Sequence, residues 1–415
     1  MERIKKLIKH LKKDAVFANS FWLMVNTIVL TGFGFLFWTL VARFYSPHEV
    51  GLASTLISSM NLIVAISGLG LGVTIVRFLR TSKDPNKNLN TIFGTSVLLG
   101  LIISSSFVVL IGFFSPKLSF VQQNIFFGMI FVVAVVSTLL FTFLDSVFLS
   151  YDLPKYSVAK ASVFSVVKIA LPAAFVAFGV FGIFGSWMVG TMAGVLLGII
   201  LLVRKKLYKP QLAIHESLLF EILPFSFGNY VANLIKMLPT LLFPLLITEW
   251  LNPASTAYYY TALMIAGLLY VIPNATSSAL LAEGSKNPES YYASMKKTAL
   301  ITLALLIPCT IVLYVLSPFL MGLLGKDYAL HGTIILRIFA AGSLFVAVNF
   351  FYGTKLNIEK KVGALVIRNV IVVVVTFGSW YFLFLPYGLA GVGFAWMAGL
   401  ASITPLFLFE ILRRR

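Results

Sequence analysis

Residues 156–206 read YSVAKASVFSVVKIALPAAFVAFGVFGIFGSWMVGTMAGVLLGIILLVRKK. Two apolar runs, 156–178 and 181–203, stand here back to back, and the second ends on Arg204-Lys205-Lys206. Each is as long as the ~20 apolar residues that a membrane-spanning helix needs. The Gly179 to Gly182 segment punctuates what is otherwise one over-long run. These two runs therefore read as a pair of spans split by a short turn.

Further runs of the same kind lie at 18–42, 52–77, 89–114, 123–149, 219–247, 255–281, 294–316, 332–354, 362–385 and 388–410. Pro386 to Gly388 splits the last two as Gly179 to Gly182 splits the fifth and sixth. Composition agrees: 59% of the residues are hydrophobic, 11% are charged and mean hydropathy is +0.97, against roughly 25% charged in soluble chains. No polar gap exceeds about fifteen residues, which leaves no room for an extramembrane domain. The expected fold is an all-α integral membrane protein of about twelve transmembrane helices.

The basic residues orient these spans. Of the 32 Lys and Arg, 25 fall on the side of the N-terminal segment and of the loops after even-numbered spans, Lys155, Lys160, Lys355, Lys360 and Lys361 among them. Only Arg43, Lys117 and Lys326 fall on the other side. By the positive-inside rule both termini are cytoplasmic. The net charge of +18 is thus a topological signal, and no basic soluble module for nucleic acid accompanies it. Residues 1–17 place Ile4, Leu7, Ile8, Leu11 and Ala15 on one helical face with lysines opposite, the pattern of a helix lying on the membrane surface. Cys309 stands alone inside the ninth span and reads as a small packing residue.

The halves echo one another. Pro47 and Pro253 are 206 residues apart, as are Gly182-x-x-Gly185 and Gly388-x-x-Gly391, and Trp187-Met188-x-Gly190 recurs as Trp396-Met397-x-Gly399. Six spans per half return the chain to its starting side, so the halves insert as parallel repeats. The expected division is an N-lobe over 18–203, a linker over 204–218 and a C-lobe over 219–415.

A charge inside a span costs roughly 2.5–3.5 kcal/mol on insertion scales and marks a functional position by default. Lys168 and Lys236 lie at mid-depth; Arg337 and Arg368 lie nearer the span ends, where snorkelling to the interface competes. The seventh span also carries Pro224, Pro239 and Pro244, and places Asn229, Asn233 and Lys236 on one face; the matching first span offers Asn26 and Thr27. These seven positions, Lys168, Lys236, Arg337, Arg368, Asn26, Asn229 and Asn233, form the candidate substrate-binding set. Interhelical hydrogen bonding is the competing role for Asn26. Arg43, Arg77 and Asp145 sit near membrane faces as gate or interface candidates.

Three stretches carry a family resemblance: Ala42-Arg43-Phe44-Tyr45-Ser46-Pro47-His48-Glu49-Val50-Gly51; Ser67-Gly68-Leu69-Gly70-Leu71-Gly72-Val73-Thr74-Ile75-Val76-Arg77-Phe78; and Gly322-Leu323-Leu324-Gly325-Lys326-Asp327-Tyr328. They resemble the Wzx-like polysaccharide flippases of the multidrug/oligosaccharidyl-lipid/polysaccharide exporter superfamily. The resemblance implies two six-helix lobes in a MATE-like V, alternating access, and movement of a polyprenyl-diphosphate-linked oligosaccharide from the cytoplasmic to the outer leaflet of the plasma membrane. It departs from many relatives in carrying Lys236 where they carry an acidic residue in the seventh span.

A diphosphate leaving water needs cationic partners. Moving two negative charges outward against ~100 mV, inside negative, releases roughly 4–5 kcal/mol. No Gly-x-x-x-x-Gly-Lys-Ser/Thr pattern supports direct ATP use, and no cofactor or metal is implied. The expected partners are the lipid-linked oligosaccharide, membrane lipids and polysaccharide-assembly proteins, without nucleic acid. Two other readings compete. A cation-coupled multidrug antiporter needs buried carboxylates, and a membrane glycosyl polymerase or ligase needs a catalytic constellation. His10, His48, His215 and His331 are too scattered to supply one.

Overall fold

In the computed structural model, residues 15–211, 214–286 and 291–412 are described, and among them every regular element is helical. The α-helices are α1 (Ala15–Phe44), α2 (Pro47–Ser67), α3 (Leu71–Phe78), α4 (Pro85–Phe114), α5 (Phe120–Gln123), α6 (Ile125–Ser150), α7 (Pro154–Ala170), α8 (Val180–Arg204), α9 (Glu216–Trp250), α10 (Pro253–Lys286), α11 (Tyr291–Gly322), α12 (Lys326–Ile358), α13 (Val362–Ala401) and α14 (Thr404–Leu412), of which α3, α5 and α14 are short. The surface-helix expectation for 1–17 falls almost wholly outside the described residues.

Among the described residues, ten helical stretches are long and apolar enough to cross a membrane. The last of these, Val362–Glu410, is 49 residues long and bends at Gly388, so it holds the eleventh and twelfth spans together. The fifth span, α7, has 17 residues. At 1.5 Å per residue that is about 25 Å, and Pro172 stops it because proline cannot continue the ladder. Those two adjustments recover the twelve spans. The second span is also broken, where Leu69 (φ 47°) and Gly70 (φ 68°) turn the chain between α2 and α3.

Two helix starts share a local cause. Before α2, the Ser46 hydroxyl accepts from the Glu49 amide at 3.3 Å while the Ser46 amide donates to Glu49 Oε2 at 2.9 Å. This reciprocal capping box, with Pro47 at the first helical position, is a helix-start signature. Before α10, Asn252 Oδ1 accepts from the Ser255 amide at 2.8 Å, and Pro253 follows it. The Pro47/Pro253 repeat is therefore a repeated helix cap.

The chain divides into two compact units. The N-lobe takes in residues up to Tyr45 and Ser59–Tyr230; the C-lobe takes in Ser46–Ser58 and Val231 onward. The boundary lies at Tyr230, not in the 204–218 linker. The linker is pinned to the start of α4: the Lys209 amide donates to Asn86 Oδ1 at 2.7 Å, Asn90 Nδ2 donates to the Lys209 carbonyl at 3.1 Å, and the Gln211 amide donates to Asn90 Oδ1 at 3.0 Å. The Tyr230 hydroxyl donates to the Ile66 carbonyl at 3.1 Å, which holds the start of α9 in the same unit. Ser46–Ser58 joins the C-lobe because Gly51 packs directly on the Pro253 backbone. Nearby, Thr55 Oγ1 lies 2.6 Å from Thr248 Oγ1, which lies 2.7 Å from Thr256 Oγ1.

Large apolar side chains such as Val109, Phe113, Ile125, Val315 and Phe382 are exposed, as a lipid-facing surface requires. Cys309 is exposed on α11 as well, so it is a surface residue and does not fill a core gap.

The repeat has a sharper register than the glycine pairs suggest. Gly179 (φ 52°, ψ −127°) and Gly388 (φ 53°, ψ −125°) share one unusual conformation, open to glycine alone among ordinary residues. A Cβ on Gly182 would strike the Phe175 carbonyl, and one on Gly391 would strike the Leu383 carbonyl. The true match thus pairs Gly179 with Gly388 and Gly182 with Gly391, 209 residues apart, the spacing that also relates Trp187 to Trp396.

Candidate functional site: a cationic cavity in the C-lobe

A cavity of about 540 Å³ lies wholly within the C-lobe, among α9, α10, α12 and α13. Its basic lining residues are Lys236 from α9 and Arg368 from α13. Its polar lining comes from Asn233, Asn349, Asn357, Asn369, Thr240, Thr354 and Thr376. Tyr270 and Trp396 add an aromatic wall, their rings 5.9 Å apart and 26° from parallel. Among the described residues, no acidic residue lines it.

Arg368 is only 7% exposed. Its Nη2 donates to Asn349 Oδ1 at 3.3 Å, and its Nε has no partner among the described residues. Gly353 makes room for the guanidinium, since a Cβ there would lie 2.5 Å from Nη1. Asn349 is itself fixed: its Nδ2 donates to the Phe345 carbonyl at 2.9 Å and the Leu400 carbonyl at 2.8 Å. With both amide hydrogens committed, the side-chain oxygen must face Arg368. On the same helix as Arg368, Asn369 Nδ2 donates to the Ala232 carbonyl at 2.7 Å and ties α13 to α9. Lys236 is more open; its Nζ stands 5.2 Å from the centre of the Phe350 ring and makes no ion pair among the described residues.

Of the seven substrate-binding candidates, three converge here: Lys236, Arg368 and Asn233. Asn229 lies on α9, but its side chain falls outside the described residues. Arg337 is not part of the cavity. Its Nε donates to Ser317 Oγ at 3.1 Å and the Tyr314 carbonyl at 3.4 Å, and its guanidinium sits 5.1 Å from the Tyr314 ring centre. Lys168 and Asn26 belong to the N-lobe. Lys168 is 2% exposed and caged by Trp187, Phe164 and Phe37 at 4.3, 4.4 and 4.9 Å from their ring centres. Asn26 is half-buried on α1, with its Oδ1 unpartnered among the described residues.

The three gate or interface candidates differ in kind. Arg43 is exposed at the end of α1, and Arg77 is exposed with its guanidinium 5.4 Å from the Phe78 ring centre. Asp145 pairs with Lys160 Nζ at 2.9 Å. Lys160 and Lys355, read from the sequence as residues of the basic face, are instead buried on α7 and α12. Lys160 also donates to the Phe141 carbonyl and lies 3.4 Å from that ring's centre. Lys355 pairs with Glu410 and, at 3.6 Å, with Glu359. Each stays inside because it meets a carboxylate there.

Sequence reasoning passed over Asn349, Asn369, Thr376, Tyr270 and Trp396 as site residues. The signal for the asparagines was present: an amide inside an apolar span must find a partner, as a charge must.

Several solved structures share this fold. The lipid II flippase MurJ in an inward closed conformation matches with TM-score 0.80 and 15% identity over 94% of this chain and 87% of its own. An inward-facing multidrug resistance MATE family transporter of the MOP superfamily matches with TM-score 0.73 and 15% identity over 95% and 98%. A MOP superfamily transporter from Pyrococcus furiosus, described as having a binding pocket of reverse polarity, matches with TM-score 0.62 and 15% identity over 97% and 96%. No curated sequence matches significantly. The model of the family described as "Polysaccharide biosynthesis protein" (Polysacc_synt_3) matches residues 40–329. With that match across most of its length, the chain belongs to the polysaccharide biosynthesis protein family, and it is a multi-pass helical membrane protein with the fold of the MATE and MurJ transporters.

Proposed function

We propose that this protein flips a polyprenyl-diphosphate-linked oligosaccharide from the cytoplasmic to the outer leaflet for surface polysaccharide synthesis, by alternating access. The observation that carries the reading is the C-lobe cavity, where Lys236 and Arg368 stand without a carboxylate among the described lining residues. A desolvated diphosphate is well matched by a guanidinium and an ammonium, because charge-assisted hydrogen bonds are about twice as strong as neutral ones. Asn233, Asn357, Asn369 and the threonines supply partners for sugar hydroxyls, and the Tyr270 and Trp396 rings supply apolar faces for a sugar ring. A cavity of this volume takes a drug-sized ligand, the size class of a glycosyl diphosphate, while the lipid tail stays in the bilayer.

A carrier of organic cations would need acidic groups in place of these two bases, so the cavity disfavours the multidrug alternative. The test is reconstitution into vesicles with a labelled lipid-linked oligosaccharide, with and without an imposed potential. Transfer above protein-free vesicles, faster when the receiving side is positive, is the expected result. No transfer, combined with extrusion of cationic dyes, would remove the reading.

A further inference from the structure

The internal repeat permits a comparison of matched positions. Gly190 on α8 packs against the Phe164 carbonyl and the Lys168 backbone; Gly399 on α13 packs against the Val372 carbonyl and Thr376. Those contacts align α7 with the first half of α13 at a spacing of 208, which pairs Lys160 with Arg368. Phe131 stacks on Phe184 at 5.8 Å, and Ile335 meets Gly393 at the matching place. That aligns α6 with α12 at a spacing of 204, which pairs Phe141 with Phe345 and Asp145 with Asn349. The two lobes therefore carry the same device, a buried cation on one helix facing one residue of its neighbour.

Its chemistry differs between them. In the N-lobe the facing residue is an acid, and Asp145 neutralises Lys160 at 2.9 Å. In the C-lobe it is an amide, and Asn349 offers Arg368 a neutral oxygen at 3.3 Å. Arginine stays charged in proteins, so the C-lobe cation keeps its full charge, its Nε without a partner among the described residues, beside a cavity. The other buried N-lobe cation, Lys168, has its Nζ held over three ring faces.

We propose that Asn349 is a specificity-determining residue: by standing where the other lobe has an acid, it leaves Arg368 free to bind an anion, and it makes the C-lobe the anion-accepting half of this carrier. The inference rests on the proposed transport reading for the identity of the cargo, but not for the binding of the anion. An acid at 349 would neutralise Arg368 from within, as Asp145 does for Lys160. A neutral residue there would leave the charge available.

The experiment is binding of inorganic pyrophosphate to the purified full-length protein by calorimetry, with melting curves to verify folding. Asn349→Asp is expected to weaken binding at least tenfold, and Asn349→Ala to weaken it by at least threefold less than Asn349→Asp does. Should Asn349→Asp fail to fold, Arg368→Gln set against the Asp145→Asn/Lys160→Gln double variant decides: the first loses at least tenfold, the second stays within threefold. Asn349→Asp binding like wild type, Asn349→Ala losing as much as Asn349→Asp, equal losses in both lobes, or a wild type that binds no pyrophosphate overturns the inference. Pyrophosphate binding with this pattern but no lipid-linked transfer in vesicles retains it and removes the transport reading instead.

Discussion

Asp145→Ala is expected to destabilise the protein through a single buried charge. Lys160 is 0% exposed at its side chain, and Asp145 Oδ1 lies 2.9 Å from its Nζ. Deleting one partner of a buried pair costs about 3–5 kcal/mol, because the other charge is left without compensation. Asp145 keeps 32% of its side chain accessible, so the low end, about 3 kcal/mol, applies. The Phe141 carbonyl and ring still meet Lys160, and both act in the same direction. For a lobe of this size each kcal/mol moves the midpoint by about 2–4 °C, giving a fall of about 6–12 °C. Lys160→Met removes the charge while keeping most of the volume, so the Asp145→Ala/Lys160→Met double variant should recover most of the loss. Thermal unfolding of all four proteins in one detergent gives the cycle, and a coupling of about 2 kcal/mol is expected for groups in direct contact. A double variant that melts as low as Asp145→Ala, or a single variant within 2 °C of wild type, would refute the reasoning.

Other outcomes follow from single contacts. Gly353→Ala should displace the Arg368 guanidinium, which lies 2.5 Å from the new Cβ; pyrophosphate binding falls while the melting midpoint stays near wild type, because the flexible end of a side chain gives way. Gly388→Ala places a side chain at φ 53°, ψ −125°, a strain of about 1–3 kcal/mol, and should lower the midpoint by several degrees in thermal unfolding. Lys168→Met exchanges a caged cation for a side chain of similar length among Phe37, Phe164 and Trp187; calorimetry should show pyrophosphate binding unchanged within threefold.

The fold was legible because its signals are long and repeated. Twelve apolar runs, the glycine at 179 and the proline-glycine pair at 386–388 each survive an error of a few residues. The breaks were harder to read. Leu69 turns the second span with a positive φ that leucine rarely adopts, so nothing in its side chain announces it. The site was half legible. Lys236 and Arg368 stand out as charges in apolar spans, whereas Asn349 gains its meaning only from Arg368, nineteen positions away in sequence and on a different helix. Lys160 and Lys355 misled for the converse reason: their partners Asp145 and Glu410 lie on other helices, and from sequence alone each looked like one more basic residue near a span end. The glycine spacing misled by three residues because both Gly179 and Gly182 begin a G-x-x-G, and only the backbone angles distinguish them.

The central claim is that Lys236 and Arg368 receive an anionic head group. Its most direct measurement is the initial rate at which vesicles holding wild-type, Lys236→Gln or Arg368→Gln protein move a fluorescent polyprenyl-diphosphate sugar between leaflets, with equal protein incorporated. Loss of one charge-assisted contact worth about 1.5–3 kcal/mol predicts a rate at least tenfold lower for either variant. Rates equal to wild type in both would contradict the account.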